Sequence, residues 1–343
     1  MRFLSTRTGR GICALASICV SLSPAIGQTA TARIVTAANA FLSTLDEKQR
    51  QTVEFAFGDE KQRQRWSNLP TGFVPRGGIS LKEMNATQRA AALALVSSAL
   101  SQRGFEKVRQ IMESDEVNKT SEGNNPIFGK DLYYISMLGK PSEKDPWMLQ
   151  FGGHHLALNV TIVGEQGVLT PTLTGAQPAL YTIGGKTVRP LGQESDKAIA
   201  LLNALDEKQR KQAILSYRLA DLVLGPGQDG KTIQPEGLKA SGMNERQRAM
   251  LVDLISEWAG IIHESAAAAR MAEIQAGLDE TWFAWSGPTS VAPGKNITAY
   301  YRIQGPKLVI EYAPQRLGGD PSMHIHTMYR DPTNDYGRRL IAK

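Results

Sequence analysis

Hydrophobic positions recur at helical spacing in two stretches of the chain, and each stretch follows the same short polar signal. Residues 84–89 and 243–248 both read Met-Asn, two variable residues, then Gln-Arg. Asn at a helix N-cap accepts a bond from a free backbone amide, and Gln three residues later can bond back to the cap. The apolar residues that follow lie on one helical face: Ala90, Leu93, Leu95, Val96 and Leu100, then Leu251, Leu254, Ile255, Trp258, Ile261 and Ile262. The pattern predicts that a helix begins at each signal.

A second pair of signals of this kind shows that the chain repeats itself. Residues 45–50 recur letter for letter as residues 205–210, at an offset of 160 positions, and the two Met-Asn signals lie at an offset of 159. Two ordered matches at nearly one offset indicate an internal duplication. We expect two diverged tandem repeats, residues 28–190 and 191–343, that together form one compact unit.

Each helical stretch is followed by sequence rich in aromatic and β-branched residues, which favour strands. These segments are residues 132–138 and 147–163 in the first repeat, and residues 281–285 and 297–312 in the second. Residues 164–189 are rich in Gly, Thr and Pro and predict an irregular or short-stranded connection. Groups of helices followed by antiparallel strands, twice over, predict an α+β fold.

Each repeat contains one predicted hairpin. Residues 147–160 predict a hairpin that turns at its Gly-Gly pair, residues 152–153. The counterpart, residues 299–312, is expected to turn near residues 305–306.

The N-terminus has the pattern of a secretory signal peptide. Three arginines precede an apolar stretch, residues 12–22, which is too short to span a bilayer comfortably, and small residues follow at positions 24–27. We therefore expect residues 1–27 to be a signal peptide and the mature protein to be exported, either periplasmic or secreted. No later segment approaches the ~20 apolar residues of a transmembrane helix.

The net charge and the cysteine content of the mature protein differ from those of the full chain, because residues 1–27 are expected to be removed. The chain has 343 residues, of which 41% are hydrophobic and 21% charged, so it is expected to fold around a sizeable core. Of its formal charge of +6, three units come from arginines of the predicted signal peptide, and the remaining weak bias argues against nucleic acid as a partner. Cys13 and Cys19 are its only cysteines. The mature chain is thus expected to have no disulfide, no cysteine nucleophile and no thiolate metal site.

Four of the five histidines fall in two short clusters, one in each repeat. The first is His154-His155 in the predicted hairpin, and the second is His324-Ile325-His326. In the second hairpin, residues 306–307 stand where the first has its histidine pair. A hairpin of this kind therefore does not require the histidines, which favours a functional role for them.

Strand geometry indicates which histidines share a face. Side chains two positions apart project to the same side of a strand, so His324 and His326 form a chelating pair. Adjacent residues project oppositely, so only one of His154 and His155 can join them. With the Gly-Gly turn, His155 lies across from Gln150, whereas His154 continues an apolar series. We expect His155 to be the third ligand and His154 to pack beside it; a one-residue slip in register would exchange them.

Three imidazoles with an open position suit zinc, copper or iron. Glu311 is the candidate for an additional carboxylate ligand, because it points away from the apolar residues of its strand. The competing interpretation is that these histidines are surface or hydrogen-bonded residues without a metal.

The residues after the second cluster allow two interpretations. In the structural one, Asp331 and Asp335 cap a turn while Arg330 pairs with one of them. In the functional one, Tyr329, Arg330, Asp331 and Asp335 are catalytic: Arg330 holds an anionic group of the substrate, and Tyr329 or Asp335 transfers a proton.

Together these motifs resemble a known family, the exported proteins grouped as domain of unknown function 3500. The resemblance covers almost the whole mature chain. It is carried by the motifs Phe151-Gly152-Gly153-His154-His155-Leu156 with Asn159, Thr170-Pro171-Thr172, His324-Ile325-His326, Tyr329-Arg330-Asp331-Pro332 and Asn334-Asp335-Tyr336-Gly337. It implies that the histidine clusters and the Tyr-Arg-Asp-Pro turn belong to the family pattern, and it implies no substrate.

The sequence favours one leading functional hypothesis and one alternative. The leading hypothesis is an exported protein with a transition-metal site between its repeats, acting as a metal-dependent enzyme on an unknown small-molecule or extracellular substrate. The alternative is a non-catalytic periplasmic protein that binds a metal or another ligand. The sequence contains no phosphate-binding glycine loop, no Gly-x-Ser-x-Gly elbow and no His-Glu-x-x-His helix.

Overall fold

The protein is described from a computed structural model that covers residues 28–317 and 319–342. The predicted signal peptide, residues 1–27, lies outside the described residues. Ten helices are found in the described part: α1 (Ala30–Ser43), α2 (Glu47–Val53), α3 (Glu60–Arg63), α4 (Ala86–Ala99), α5 (Gln102–Ser121), α6 (Gly192–Ala204), α7 (Glu207–Ala213), α8 (Glu245–Ala259), α9 (Glu264–Ala276) and α10 (Arg338–Ile341). None of them is long and apolar enough to cross a membrane.

Fourteen strands accompany the helices in the same part of the chain. They are β1 (Glu54–Phe55), β2 (Ile79–Ser80), β3 (Tyr134–Leu138), β4 (Trp147–Gly153), β5 (Leu156–Val163), β6 (Gln166–Val168), β7 (Thr172–Ala176), β8 (Tyr181–Ile183), β9 (Lys186–Val188), β10 (Leu238–Lys239), β11 (Trp282–Ser286), β12 (Tyr300–Gly305), β13 (Leu308–Pro314) and β14 (Ile325–Arg330). All but β8 and β9 belong to one sheet, in the order β1-β3-β4-β5-β7-β14-β13-β12-β11-β10, with β2 beside β3 and β6 beside β5. The sheet is antiparallel except where β1 meets β3, which confirms the α+β class.

The centre of the sheet is the antiparallel pair of β7 and β14. Thr172 pairs with Tyr329 at one end of this ladder, and Ala176 pairs with Ile325 at the other. Three consecutive antiparallel strands flank the pair on each side, β5-β4-β3 beside β7 and β13-β12-β11 beside β14. The ladder of β7 and β14 therefore joins strands from the first and second parts of the chain.

Local signals place the helix starts. At α2, α4, α7 and α8 the cap residue accepts a bond from the backbone of a Gln three residues later, whose side chain bonds back to the cap. Each box also meets a second one, because Gln88 donates to Gln49 at 2.7 Å and Gln247 donates to Gln209 at 2.8 Å. The predicted helix starts are confirmed, and the cross-bonds explain why the signals occur in pairs.

The two faces of β14 have different surroundings. Ile325 and Tyr329 belong to a core cluster with residues of α6, α8 and β11–β13. Met328, on the other face, packs with Trp66 and Leu173. Because side chains alternate along a strand, His326 and Arg330 share the face of Met328 and not the helix-covered face.

The first hairpin turns at a different place from the one predicted. Gly153 pairs with Leu156, so His154 and His155 are the two turn residues, and Gln150 pairs with Asn159 rather than with His155. The two glycines instead allow close packing against neighbouring backbone. A Cβ at Gly152 would meet the Leu156 carbonyl oxygen of β5, and one at Gly153 would lie 2.6 Å from the carbonyl oxygen of Leu132, in the loop before β3. In the second hairpin Gly305 pairs with Leu308, which confirms a turn near residues 305–306.

Candidate metal centre

Three buried histidines converge at one end of the β7–β14 ladder. His155 Nε2 lies 3.0 Å from His324 Nε2, and His324 Nε2 lies 3.1 Å from His326 Nε2. One nitrogen from each ring lies within 4.8 Å of the other two, and the residues are only 2%, 6% and 6% exposed. We call His155, His324 and His326 the triad.

The triad is assembled from two distant parts of the chain. His155 comes from the turn between β4 and β5, where its φ is 60°, and His326 lies in β14, two residues after His324. Gly175 of β7 pairs with His326 and leaves space for the first ring: a Cβ there would lie 3.2 Å from His155 Cδ2. A side chain at this position of β7 would displace the His155 imidazole.

Polar partners on the far side of two rings hold them in place. His324 Nδ1 donates to the carbonyl oxygen of Leu317 at 2.9 Å, so the lone pair of the neutral ring is on Nε2. His326 Nδ1 lies 3.6 Å from Asp221 Oδ1 and 3.3 Å from Asn68 Nδ2. Metal-bound histidines commonly have such a partner on the second ring nitrogen.

The electrostatics keep the triad neutral. Burial, reinforced by the neighbouring imidazoles, lowers the pKa of His155 well below its ordinary value and that of His324 to about 4. Burial also lowers the pKa of His326, although the Asp221 carboxylate opposes the change. Near neutral pH the rings are therefore uncharged, which is the state that binds a metal.

Hydrogen bonds between the three rings cannot pair all of the converging nitrogens. His324 Nε2 has one lone pair and can accept a hydrogen bond from only one of its two imidazole neighbours. Bonds of about 2.0–2.1 Å allow at most about 4.2 Å between two nitrogens on one ion, so a single cation contacts all three once the widest separation, within 4.8 Å, closes by about half an ångström. The donor set therefore fits a transition metal, with room for a further ligand that is not a histidine.

His154 supports the triad from the side. Its ring stacks on that of His155 with centroids 3.7 Å apart, and Phe128 packs near it at 5.2 Å. His154 Nδ1 lies 2.6 Å from Asp115 Oδ1, and Asp115 Oδ2 accepts a bond from the Gly129 amide at 2.9 Å. His154 thus occupies a packed, supporting position beside His155.

The structure does not bring Glu311 into the triad. Its Oε1 accepts bonds from the Val223 amide and the Tyr300 hydroxyl, both at 2.7 Å, and its Oε2 accepts from the Leu224 amide at 2.8 Å. Both oxygens are therefore already engaged by neighbouring protein groups. We call the segment that contains Val223 and Leu224, residues 221–229, the strap.

Arg330 also contacts the strap. Its Nε donates to the Leu224 carbonyl at 2.7 Å and its Nη2 to the Gly225 carbonyl at 3.0 Å. Its Nη1 forms ion pairs with Asp229 at 3.0 Å and Asp335 at 2.9 Å. The strap carries Asp221 to His326, so Glu311 and Arg330 position a neighbour of the triad.

The remaining candidates have structural contacts of their own. Asp331 Oδ1 accepts the Thr333 amide at 3.0 Å, and Asp335 Oδ1 accepts the Asp331 amide at 2.9 Å, as the structural interpretation of this turn expected. Tyr329 lies on the helix-covered face of β14, where Arg270 Nε donates to its hydroxyl oxygen at 2.9 Å. None of these contacts reaches the triad.

Sequence reasoning missed the polar neighbours of the histidines. Asp115 left a usable signal, since it continues the helical series of Val108 and Ile111 and a carboxylate in an apolar series requires a partner. Asn68 and Asp221 lie in segments without regular structure, where no spacing rule connects them to a strand.

Comparison with known proteins places the chain in a family. No curated protein and no solved structure matches it. One family model, described as protein of unknown function (DUF3500), matches residues 27–338. This confirms the resemblance carried by the histidine and Tyr-Arg-Asp-Pro motifs. Because the match extends over nearly the whole sequence, the chain belongs to the DUF3500 family.

Proposed function

We propose that this protein binds one transition metal ion through His155, His324 and His326 and uses it as a metal-dependent enzyme outside the cytoplasm. The observation that carries the proposal is the meeting of three neutral imidazoles at Nε2 separations of 3.0 and 3.1 Å. Zinc, copper and iron all accept imidazole ligands, and none of them requires a thiolate, so all three fit the triad.

The number of ligands favours catalysis over a purely structural ion. Structural zinc sites usually have four protein ligands, whereas catalytic sites have three and leave a position for water or substrate. Both oxygens of Glu311 are engaged elsewhere, and among the described residues the group of candidate ligands that converges here consists of the three histidines. An ion held there supplies Lewis acidity to a water or substrate oxygen.

The burial of the triad supports a second candidate function. Its three rings are almost fully covered, and the strap and residues near Asn68 lie over the same face of the sheet. A non-catalytic protein that captures and keeps a metal ion would also benefit from this cover. The enzyme and the metal-capturing protein therefore differ in whether a small molecule can reach the coordination position that no histidine takes.

The arrangement of elements supports the proposal that the chain is a diverged tandem duplication with a boundary near residue 190. Each half contains paired capping boxes, three consecutive antiparallel strands and one strand of the central pair. The two-residue turn that holds His154-His155 in the first half holds Pro306-Lys307 in the second. On this proposal, a single composite site lies where the repeats meet.

Metal binding is tested by titrating metal-free protein with zinc, copper and cobalt in separate experiments and counting bound equivalents. We expect one equivalent in the wild type and none in His324→Ala or His326→Ala. His263→Asn is the matched control, because His263 caps α9 outside the triad and Asn is also a good cap. Unchanged stoichiometry in both triad variants would contradict the ligand set.

The open position is tested with the cobalt-loaded protein. Added azide should change the visible absorption of cobalt if a small ligand can reach the ion. A spectrum that azide and imidazole both leave unchanged would favour the storage function over the enzyme. If the spectrum does respond, the metal-loaded protein is screened against substrates. Turnover of a substrate by the wild type, but not by His326→Ala, would identify the reaction.

Export is tested by the mass of the mature protein. Expression of the full chain in a Gram-negative host should yield a periplasmic product that begins at Gln28. A cytoplasmic product that retains residues 1–27 would overturn the proposed location.

A further inference from the structure

A second group of metal-ligand types lies around the other ring nitrogen of His326. Asp221 Oδ1 lies 3.6 Å from His326 Nδ1, and Asn68 Nδ2 lies 3.3 Å from the same nitrogen. The side chain of Asp221 is 60% exposed, whereas His326 is only 6% exposed. The group therefore lies between solvent and the buried triad. We call Asp221, His326 Nδ1 and Asn68 the outer group.

The hydrogen bonds of the structure direct the lone pair of His326 towards the outer group. The amide nitrogen of Asn68 can only donate, so His326 Nδ1 accepts from it and carries no proton. The ring proton is then on Nε2, where it faces the lone pair of His324 Nε2 at 3.1 Å. Two electron-rich atoms, His326 Nδ1 and Asp221 Oδ1, thus lie 3.6 Å apart with no proton between them.

The separations in the outer group fit the ligands of one metal ion. Nitrogen and oxygen ligands at about 2.0–2.2 Å from an ion lie at most about 4.3 Å apart. The 3.6 Å between Asp221 Oδ1 and His326 Nδ1 is too long for a hydrogen bond but is within this limit. Rotation of the Asn68 amide by half a turn exchanges its nitrogen for its oxygen, which adds a third donor. Zinc binds imidazole and carboxylate ligands alike.

The charge of Asp221 is available to a cation. Among the described residues Asp221 forms no ion pair with a lysine or an arginine, in contrast to Asp229, which pairs with Arg330. Its Oδ1 accepts bonds from the Leu222 amide at 2.7 Å and from Gln315 Nε2 at 2.9 Å. These neutral donors hold the carboxylate in place without cancelling its charge. A charged group at the solvent boundary raises the local concentration of ions of opposite sign.

His326 belongs to both the outer group and the triad, but it binds one ion at a time. A neutral imidazole has a single lone pair, on Nδ1 or on Nε2. An ion on Nδ1 therefore removes His326 from the triad, and an ion on the triad leaves the ring proton on Nδ1, beside Asp221. The two positions are thus alternatives for one ion.

We propose that the outer group is an entry site, which takes a divalent transition-metal ion from solvent before the triad binds it. This inference rests on the proposed function, since it requires the triad to bind the metal. Asp221 and His326 Nδ1 bind the incoming ion together with the amide oxygen of Asn68. The ion then moves to the Nε2 atoms of the triad, and the ring proton of His326 moves from Nε2 to Nδ1, where Asp221 accepts its hydrogen bond.

The entry step is tested by rapid mixing of the full mature protein, freed of metal, with excess cobalt. The visible absorption of cobalt bound to the triad reports its arrival. In the wild type the observed rate should rise with cobalt concentration and then level off, because the ion occupies the outer group first. Asp221→Asn should lower the rate at low cobalt concentration about tenfold. A wild-type rate in this variant would overturn the proposal.

Asp279→Asn is the matched control, because it makes the same change at a carboxylate that is 67% exposed and pairs with Arg248. Its association rate should equal that of the wild type. An equal slowing in both variants would assign the effect to overall charge and contradict the entry site. A residue that only orients the His326 ring would change the rate of cobalt release and leave the association rate unaltered, so the association rate separates the two roles.

A second measurement detects the outer group without the triad. His324→Ala should bind cobalt weakly and saturably, at concentrations well above those of a stoichiometric titration, and cobalt-shifted proton resonances of the His326 ring should report this binding. Addition of Asp221→Asn to His324→Ala should abolish it. Equal binding by the single and the double variant would contradict a role of Asp221 as a ligand.

The outcomes separate this proposal from the proposed function. One tightly bound equivalent, with an association rate that Asp221→Asn leaves unchanged, would keep the metal site and overturn the entry site. Failure of the wild type to bind metal at the triad, with weak cobalt binding that still depends on Asp221, would overturn the proposed function and leave the outer group as a cation site of its own.

Discussion

At the residue scale, His155 combines a rare backbone conformation with a place in the triad. Its φ of 60° lies in the left-handed region, where non-glycine residues cost roughly 1–2 kcal/mol and Asn is among the better tolerated. Gly would adopt this conformation freely, but Gly has no imidazole. The turn is therefore less stable with His than with Gly at this position. The proposed metal ligation accounts for a His there, since strained residues cluster at functional sites.

Substitutions at this position should separate fold from binding. His155→Asn should keep the unfolding free energy within about 1 kcal/mol of the metal-free wild type while abolishing metal binding, because Asn tolerates the left-handed turn. His155→Val should lose about 2 kcal/mol, since a β-branched residue does not tolerate it. Urea denaturation and metal titration measure the two effects. Equal stability of the two variants would show that the turn is not strained.

The lowered pKa values of the triad predict how stability depends on pH. The folded, metal-free protein keeps His324 neutral down to about pH 4, whereas the unfolded chain protonates this residue near its ordinary pKa of about 6.5. Between these values the unfolded state binds more protons, so the free energy of unfolding falls as the pH falls. Above about pH 6.5 this contribution is complete and constant.

The comparison that isolates this effect is with His324→Gln, which lacks the titrating group. Lowering the pH from about 7 to about 5 should cost the metal-free wild type more unfolding free energy than it costs the variant. Urea titrations at both pH values measure the difference. An equal loss in the two proteins would mean that burial does not lower the pKa of His324.

At the scale of elements, the strap is held by two residues that the sequence analysis predicted to be functional: Glu311 as a metal ligand and Arg330 as a catalytic residue. Glu311 caps two amides of the strap, and Arg330 binds two of its carbonyls. Buried charges require such partners, and irregular backbone that is buried requires them as well. Glu311 and Arg330 therefore stabilise the strap, which lies over the triad, by bonding to its backbone.

Glu311→Gln should loosen the strap without changing its shape. One acceptor oxygen becomes an NH2 group facing a backbone amide, which should cost about 1–3 kcal/mol of unfolding free energy. Hydrogen exchange at the amides of Val223 and Leu224 should become faster, and metal affinity should fall through Asp221. Glu280→Gln, an exposed carboxylate elsewhere, is the control. Unchanged exchange at both amides would contradict the role given to Glu311.

The predictability of each element depended on whether its signal was local. Capping boxes predicted the starts of α2, α4, α7 and α8, because the bonds join residues three positions apart. The hairpin turn at His154-His155 was missed because Gly152 and Gly153 are required by a neighbouring strand and loop, which the local sequence does not reveal. The central strand β7 was expected only as part of a connection, since its sequence Thr-Leu-Thr-Gly-Ala has little hydrophobic alternation.

At the scale of the whole molecule, the proposed ion links the two halves of the chain. His155 and His324 are 169 positions apart in sequence, and their Nε2 atoms are 3.0 Å apart. An ion that binds only the folded state stabilises it by RT ln(1 + [L]/Kd). The metal is thus expected to stabilise the joined halves together.

The size of this stabilisation can be measured directly. With free zinc at about 100 times its Kd, the free energy of unfolding should rise by about 2.7 kcal/mol in the wild type and stay unchanged in His326→Ala. Urea denaturation with and without zinc gives both values. A rise in the His326→Ala variant would show that the stabilising ion binds elsewhere.

The candidate site was predictable only where strand periodicity applied. The pairing of His324 with His326 follows from the two-residue repeat of a strand. The preference for His155 over His154 rested on a predicted turn at Gly152-Gly153, whereas the turn residues are His154 and His155 themselves. His155 is nevertheless the residue that the structure brings into the triad. Asp221, Asn68 and Leu317 reach the rings from segments whose course depends on the complete fold.

The position of β14 makes it the strand that closes the sheet. β14 is the last strand of the described chain, and it fills the gap between β7 and β13 at the middle of the sheet. Until residues 325–330 have joined the sheet, both neighbouring strands have an open edge of the kind that recruits other chains. The same incomplete sheet lacks two of the three histidines at the triad, because His324 and His326 arrive with β14. Acquisition of the ion would therefore mark a chain in which β14 has joined the sheet and closed it.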